Sequence, residues 1–253
     1  MVQMRKTYYK VSRRQFMRRV GAASIAAAGA AATQMLAAST KAAARPVQYG
    51  MLIDTRKCVG CHACSIACRS QNDVPEGHDR AWVEYTEKGS YPNVSLKFLP
   101  RLCNQCSEPQ CVSVCPTGAT WKREEDGVVV VDETICIGCK YCIQACPYDA
   151  RFLNPKTGAA DKCDFCSERV AQGLEPACVA TCFFRARIFG DLNDPGSDIA
   201  RLIASNPVTV LRQEMGTRPN VYYIAADHVG EHDARYAGQY IRVTTHRISR
   251  ERR

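Results

Sequence analysis

The chain has 253 residues with a formal charge of +9, 46% hydrophobic residues and sixteen cysteines. Residues 1–44 hold eight Lys or Arg and no acid, so the remaining 209 residues carry only +1. A basic nucleic-acid surface is therefore not encoded in the body of the chain. The length also allows an ordinary core to be buried.

In chain order, the first segment reads as an export signal. Ser12-Arg13-Arg14-Gln15-Phe16-Met17 has the twin-arginine form, an apolar run extends from Val20 to Ala38, and Ala42-Ala43-Ala44 offers a small-residue cleavage site. The run is long enough for a membrane span, but its Ala and Gly content is too weakly hydrophobic for stable insertion. A cleaved signal is expected over residues 1–44, with an uncleaved anchor as the alternative.

The body, about residues 46–226, is expected to be one compact domain rich in loops, with short helices and strands. Ala81 to Tyr85 and Val94 to Leu99 alternate as strands of a hairpin, separated by Gly89-Ser90 and Pro92. Gly127 to Asp132 is the clearest strand. Asp198 to Ser205 has helical spacing with an acidic start, and Asn220 to Ala225 reads as a late strand. The tail, residues 227–253, is basic at its end and is expected to fray in solvent.

The cysteines carry most of the information. Cys58, Cys61, Cys64 and Cys68 are spaced x2-x2-x3, and Cys136, Cys139, Cys142 and Cys146 repeat that spacing to the residue. Cys103, Cys106, Cys111 and Cys115 lengthen the middle interval, and Cys163, Cys166, Cys178 and Cys182 lengthen it further. The x2-x2-x3 run is the bacterial ferredoxin signature, in which three thiolates of one loop hold a [4Fe-4S] cubane and the fourth serves a second cluster. Four such groups imply four cubanes. A disulfide framework is the first alternative, but staples do not repeat one ligand-loop spacing four times. Zinc is the second, most credible for the fourth group with its long gap, because a structural zinc needs four ligands converging on one ion.

Twin-arginine export of an already folded chain fits this load, since clusters would be assembled on reduced thiolates before an oxidising compartment is met. Each oxidised cubane with its four thiolates carries about 2−, so four bring the mature chain to about −7. Cluster binding and folding are then one equilibrium, and the apo chain is expected to be unstable.

Pro follows the last cysteine only in groups two and three, at Pro116 and Pro147, which marks those two as one dicluster module. Groups one and four, where Arg69 and Phe183 stand instead, form the other. The crossing of the fourth cysteine gives four ligand sets: Cys103, Cys106, Cys111 with Cys146; Cys136, Cys139, Cys142 with Cys115; Cys58, Cys61, Cys64 with Cys182; and Cys163, Cys166, Cys178 with Cys68. The expected fold class is α+β, two ferredoxin-like modules (residues 50–68 with 161–190, and 99–152) with a hairpin insertion at 69–98.

These groups, with the stretches LPRLCN (99–104), GVVVVD (127–132), ACPYDARF (145–152), DKCDFC (161–166), ARIFGDLNDP (186–195) and GTRPNVYYI (216–224), resemble the four-cluster electron-transfer (beta) subunits of molybdenum oxidoreductases. That family includes polysulfide, thiosulfate, dimethyl sulfoxide and tetrathionate reductases, and the flanking stretches most resemble the tetrathionate reductase subunit. The resemblance covers residues 50–225 and implies the same nested pairing of groups. It also implies two partners, a molybdopterin-containing catalytic subunit and a quinone-reactive membrane subunit, in a periplasmic respiratory reductase.

Neither partner's activity is expected here, since no glycine-rich nucleotide loop follows a strand and no cysteine is left for another metal. The competing readings are a freely diffusing periplasmic ferredoxin and a self-sufficient enzyme, the latter lacking an open coordination site in the sequence. Lys140 and Arg185 could raise the potential of a neighbouring cluster or simply be solvated. His62 is expected to be a bystander, and Trp82 and Trp121 to pack around clusters.

Overall fold

The structure, a computed structural model, describes residues 46–226. The segment expected to be an export signal and the expected C-terminal tail lie outside the described residues. Ten strands and six α-helices alternate through the described chain, all the helices but two being five residues or shorter.

Strand β1 (Tyr49–Asp54) is buried along nearly its whole length, so both its faces are apolar: Met51, Leu52 and Ile53 are fully buried. It pairs antiparallel with β8 (Arg187–Asp191) and parallel with β10 (Val221–Ile224), and β10 pairs in turn with the short β9 (Val208–Thr209). This four-stranded sheet brings the beginning and end of the described chain side by side. Its second face is covered by α6 (Asp198–Ser205), where Ile199 is buried beside Leu52 and Ile224. The acidic start of that helix, legible in the sequence, is completed by Ser197, whose hydroxyl accepts from Ala200 N at 3.2 Å as an N-cap.

The hairpin of β2 (Ala81–Ser90) and β3 (Asn93–Leu102) runs in register from Ala81 opposite Leu102 to Ser90 opposite Asn93. Both strands are longer than the alternation in sequence indicated. The turn is only Tyr91-Pro92, and Gly89 just before it has a φ of 99°, where an added Cβ would lie 2.1 Å from Asn93 O. The base of the hairpin is core: Trp82, Val83 and Leu102 are buried, while the tip is exposed.

Three smaller pieces hold the cysteine loops. Helix α1 (Ala63–Gln71) packs on α5 (Ala177–Ala180), and α2 (Gln110–Ser113) packs on α3 (Tyr141–Gln144). Strands β4 (Thr120–Lys122) and β5 (Val129–Val131) pair antiparallel, as do β6 (Phe152–Leu153) and β7 (Ala160–Asp161). The remaining helix, α4 (Ser167–Ala171), starts directly after Cys166. The main core mixes hydrophobes with thiols: Cys64, Cys68, Cys103, Cys163 and Cys178 share one cluster with Met51, Trp82, Tyr148, Phe165 and Tyr223. No helix among the described residues is long and apolar enough to cross a membrane.

Candidate metal centre

The four cysteine loops share a backbone device that their sequences only half reveal. In each group the residue two after the first cysteine has a left-handed φ: 70° at Gly60, 45° at Gln105, 67° at Gly138 and 58° at Phe165. Alternation between right- and left-handed residues turns successive N–H groups into one concavity, a nest that receives negative charge. Glycine adopts this conformation freely, but a side chain there costs about 1–2 kcal/mol.

Packing compensates at the two exceptions. Gln105 is fully buried, and its amide donates to Cys163 O at 2.7 Å while accepting from Val129 N at 2.8 Å. Phe165 is buried edge-on against Phe189. In groups one and three the residue after the second cysteine, His62 or Lys140, is also left-handed and starts the helix that carries the next ligand candidate.

The strand pairing brings the groups together. Strand β1 leads into group one and β8 leaves group four, so their antiparallel pairing sets the two groups against each other. Strand β4 leaves group two and β5 leads into group three, with the same result. One cavity is lined by Cys58, Cys61, Cys64 and Cys182, with Phe183 and Arg187 in its wall. A second is lined by Cys103, Cys106, Cys111 and Cys146, with Tyr148, Arg151 and Thr217.

The third set is joined by a shared donor. Asn72 Nδ2 lies 3.6 Å from Cys68 Sγ and 3.7 Å from Cys166 Sγ, and Cys68, Cys163 and Cys178 are close enough to influence one another's ionisation. Of the fourth set, Cys142 is buried, Cys139 is exposed, Cys136 Sγ accepts from Ala160 N at 3.4 Å and Cys115 Sγ lies 3.8 Å from Thr117 Oγ1.

All sixteen cysteines are free thiols rather than the disulfide framework considered from sequence. Among the described residues no three His, Cys, Asp or Glu lie close enough together to hold one metal ion. Burial dominates the thiol chemistry. It pushes Cys68 and Cys106 up to about 12 and Cys178 up to about 11, with neighbouring thiols adding to all three and Arg187 opposing the rise at Cys178. Burial also raises Cys58, Cys111, Cys146 and Cys163. Cys115 goes the other way: burial, the largest single influence, raises it, and hydrogen bonds from Thr120, Thr117 and Ala119 together outweigh that.

Bare thiolates are thus disfavoured in these cavities, and a bound cationic core would relieve the cost. Donors aimed at sulfur fit the same demand: Ala186 N reaches Cys182 Sγ at 3.2 Å, Phe165 N reaches Cys163 Sγ at 3.4 Å and Arg151 Nη2 reaches Cys111 Sγ at 3.1 Å. The residues present fit iron-sulfur clusters on the chemistry of the donor set and on the lining of the cavities.

For Lys140 and Arg185 the sequence left two readings, tuning of a neighbouring cluster or solvation. Arg185 is two-thirds exposed and pairs with Glu175 at 3.5 Å, and Lys140 is exposed, so for both the solvated reading holds. The buried cations are others: Arg101, which pairs with Glu84, and Arg151, Arg187 and Lys162. Lys162 Nζ donates to Cys163 O at 2.9 Å and to Val129 O, where groups two and four meet. Trp82 is core, with its indole N–H donated to Glu84 at 2.9 Å, whereas Trp121 is 41% exposed and stands outside the core.

Cysteine loops of this form, set on short helices and strands, define an iron-sulfur protein. The 4Fe-4S dicluster domain family matches residues 94–192. A tetrathionate reductase subunit of Salmonella typhimurium is 48% identical over 184 residues, covering 71% of this chain and 73% of the relative. A polysulfide reductase chain of Wolinella succinogenes is 44% identical over 180 residues, 70% of this chain and 94% of the relative. Protein NrfC of Escherichia coli is 42% identical over 215 residues, 84% and 95% of the two proteins. The chain belongs to the family of iron-sulfur electron-transfer subunits of the molybdenum oxidoreductases.

Proposed function

We propose that this chain is a non-catalytic wire of four [4Fe-4S] clusters. It would join a quinone-reactive membrane subunit to a molybdopterin-containing catalytic subunit in a periplasmic respiratory reductase of the tetrathionate reductase type. When bound, each cluster takes up and releases one electron at a time. The protein's part is to hold, space and shield them. The ligand sets are the four read from the crossing rule, and the observation that carries this reading is the pair of cavities in which three cysteines of one group meet the last cysteine of another, Cys182 or Cys146.

The four sets form a line. Gln105, within the second group, donates to Cys163 O at 2.7 Å, which supports the Cys163 set as neighbour of the Cys103 set. Arg187 acts on Cys64 and Cys178, linking the Cys58 and Cys163 sets, and Arg151 acts on Cys103 and Cys142, linking the Cys103 and Cys136 sets. Cys61 and Cys139, the two exposed cysteines, belong to the two terminal sets.

Exposed hydrophobes accompany each: Val59 and Phe183 line the cavity of Cys61, and Ile135, Ile137 and Tyr141 flank Cys139 in the chain. Two bare ends suit a subunit held between two partners, whereas a diffusing ferredoxin needs one. The test is anaerobic purification of the chain from its native host. About sixteen irons per chain and co-purification with a molybdenum-containing large subunit are expected. Iron far below that, or thiols joined to one another, overturns the reading.

A further inference from the structure

The buried and half-buried arginines that the fold pairs inwardly are of two kinds. Arg80 pairs with Asp161 at 2.8 Å, and Arg101 pairs with Glu84 at 2.8 Å. Arg151 and Arg187 are more deeply buried, at 4% and 2% exposure, and what they face is sulfur. Arg151 donates to Cys111 Sγ at 3.1 Å and to Thr120 Oγ1 at 3.2 Å. Arg187 Nη1 donates to Met51 Sδ at 3.7 Å, and its Nη2 finds no acceptor. A buried guanidinium without a counter-charge is strongly disfavoured, so the negative charge these two answer must come from what the thiols hold.

Each guanidinium stands in the wall of one cavity, Arg151 with Cys103, Cys106, Cys111 and Cys146 and Arg187 with Cys58, Cys61, Cys64 and Cys182, and its charge also reaches cysteines of the neighbouring set. Arg151 influences Cys103, Cys111 and Cys146 of one set and Cys142 of the next. Arg187 influences Cys58 and Cys64 of one set and Cys68 and Cys178 of the next. The two positions are also equivalent in the sequence repeat. Each arginine stands five residues after the last cysteine of its group, Cys146 or Cys182, whereas groups one and two carry Asp73 and Thr120 there. The repeat has therefore placed one fixed cation in the second half of each cluster pair.

On the ligand sets given above, we propose that Arg151 and Arg187 are the charge-setting residues of the two cluster pairs, each raising the reduction potentials of both clusters it faces. Reduction adds one electron to a cluster, forms and breaks no bond, and moves no proton to the arginine, because guanidinium stays charged throughout the accessible pH range. A fixed positive charge stabilises the reduced, more negative cluster more than the oxidised one. Shared by two clusters, it keeps their potentials moving together and favours a level path for the electron across the pair. These are positioning residues for charge, not ligands.

The experiment is a redox titration of the anaerobically purified holoprotein, read by electron spin resonance, with iron counted on the same samples. In Arg187→Gln, two of the four clusters should fall in potential by at least tenfold in their one-electron reduction equilibrium, about 59 mV, with the other two unmoved. In Arg151→Gln the complementary two should fall. Arg187→Lys and Arg151→Lys should restore most of the potential, because they return the charge without the shape.

Unshifted potentials in a fully loaded Gln variant, or a shift confined to one cluster, overturn the proposal. Should a Gln variant lose iron, the Lys variant decides: retained iron at native potentials supports a charge role, and equal loss in both overturns it in favour of shape. Failure of the ligand sets is read separately, by which cluster each Cys→Ser variant loses.

Discussion

Gln105 donates its side-chain amide to the carbonyl of Cys163 at 2.7 Å, fastening the loop of the second cysteine group to the first cysteine of the fourth. The same side chain accepts from Val129 N at 2.8 Å, and its backbone carbonyl accepts from Asn220 Nδ2 at 2.6 Å. One residue thus joins a ligand loop, the strand entering group three and the last strand of the sheet.

Gln105→Ala leaves the Val129 N–H buried without a partner, at about 1–3 kcal/mol, takes from the Cys163 carbonyl one of its two donors while Lys162 Nζ remains, and keeps the left-handed backbone cost with nothing to hold it. We expect a fall of several degrees in the thermal midpoint of the holoprotein and faster loss of iron to a chelator. Gln105→Glu keeps the acceptor for Val129 N but sets a carboxylate against the Cys163 carbonyl, so it should behave no better than Gln105→Ala. Unchanged melting and iron retention in both would show that the bridge contributes nothing.

Cys→Ser substitutions should sort by cluster and not by position in the chain. If Cys182 completes the set of Cys58, Cys61 and Cys64, Cys182→Ser and Cys61→Ser remove the same spectral component although the residues belong to different groups. Cys68→Ser should instead share its loss with Cys166→Ser. Each single variant is expected to hold about twelve irons, or slightly more where a [3Fe-4S] remnant survives. Spin resonance of the reduced proteins checks the pairing, and a common component lost by Cys61→Ser and Cys68→Ser would mean that each group serves one cluster alone.

Much of this site was legible because ligand spacing is a local property. The left-handed turns at Gly60 and Gly138 are visible in the sequence as glycines, and the proline after Cys115 and Cys146 anticipates which groups the strands bring together. Gln105 and Phe165 were not legible. They hold the same backbone conformation through contacts with Cys163, Val129 and Phe189, residues remote in the chain, and no local propensity announces such contacts. The buried cations Arg151 and Arg187 were not legible for a related reason. Lys140 and Arg185 lie nearest the cysteines in sequence, but nearness along the chain does not tell which way a side chain points, and Arg185 points outward to Glu175. The equal offset of Arg151 and Arg187 from Cys146 and Cys182 was the available signal. The hairpin was found but drawn short, because polar residues near its tip hide continued pairing of the backbone.

Two glycines separate backbone strain from steric overlap. Gly60 and Gly118 have nearly the same φ, 70° and 68°, but an added Cβ at Gly60 would lie 2.3 Å from the Phe98 ring while at Gly118 it meets nothing within 4 Å. Gly118→Ala should therefore cost only the left-handed penalty, about 1–2 kcal/mol. Gly60→Ala must also displace Phe98 from the base of the hairpin, which costs about 1–3 kcal/mol more. The first group's loop should loosen in the second variant alone. Denaturant unfolding of the two holoproteins checks the difference, and equal midpoints would mean that Phe98 yields freely.

Removing iron should unfold the chain rather than empty it. Without clusters, Arg151 and Arg187 become buried cations with no negative partner, and the thiols around them, raised by burial, stay protonated and neutral near pH 7. Breaking a buried ion pair by removing one side costs about 3–5 kcal/mol, and two such losses approach the whole stability of a domain of this size. Cysteines also fill much of the core, where Cys64, Cys68, Cys103, Cys163 and Cys178 stand in contact with Met51, Phe165 and Tyr223, so empty cavities add to the cost. Anaerobic chelation under reducing conditions should therefore abolish the cooperative thermal transition and most of the near-ultraviolet circular dichroism in parallel with iron loss. Arg151→Gln combined with Arg187→Gln should leave an apo chain more structured than the apo wild type, because the orphaned charges are gone. An apo wild-type chain that melts cooperatively near the holoprotein's midpoint would show that the protein core stands without its inorganic part.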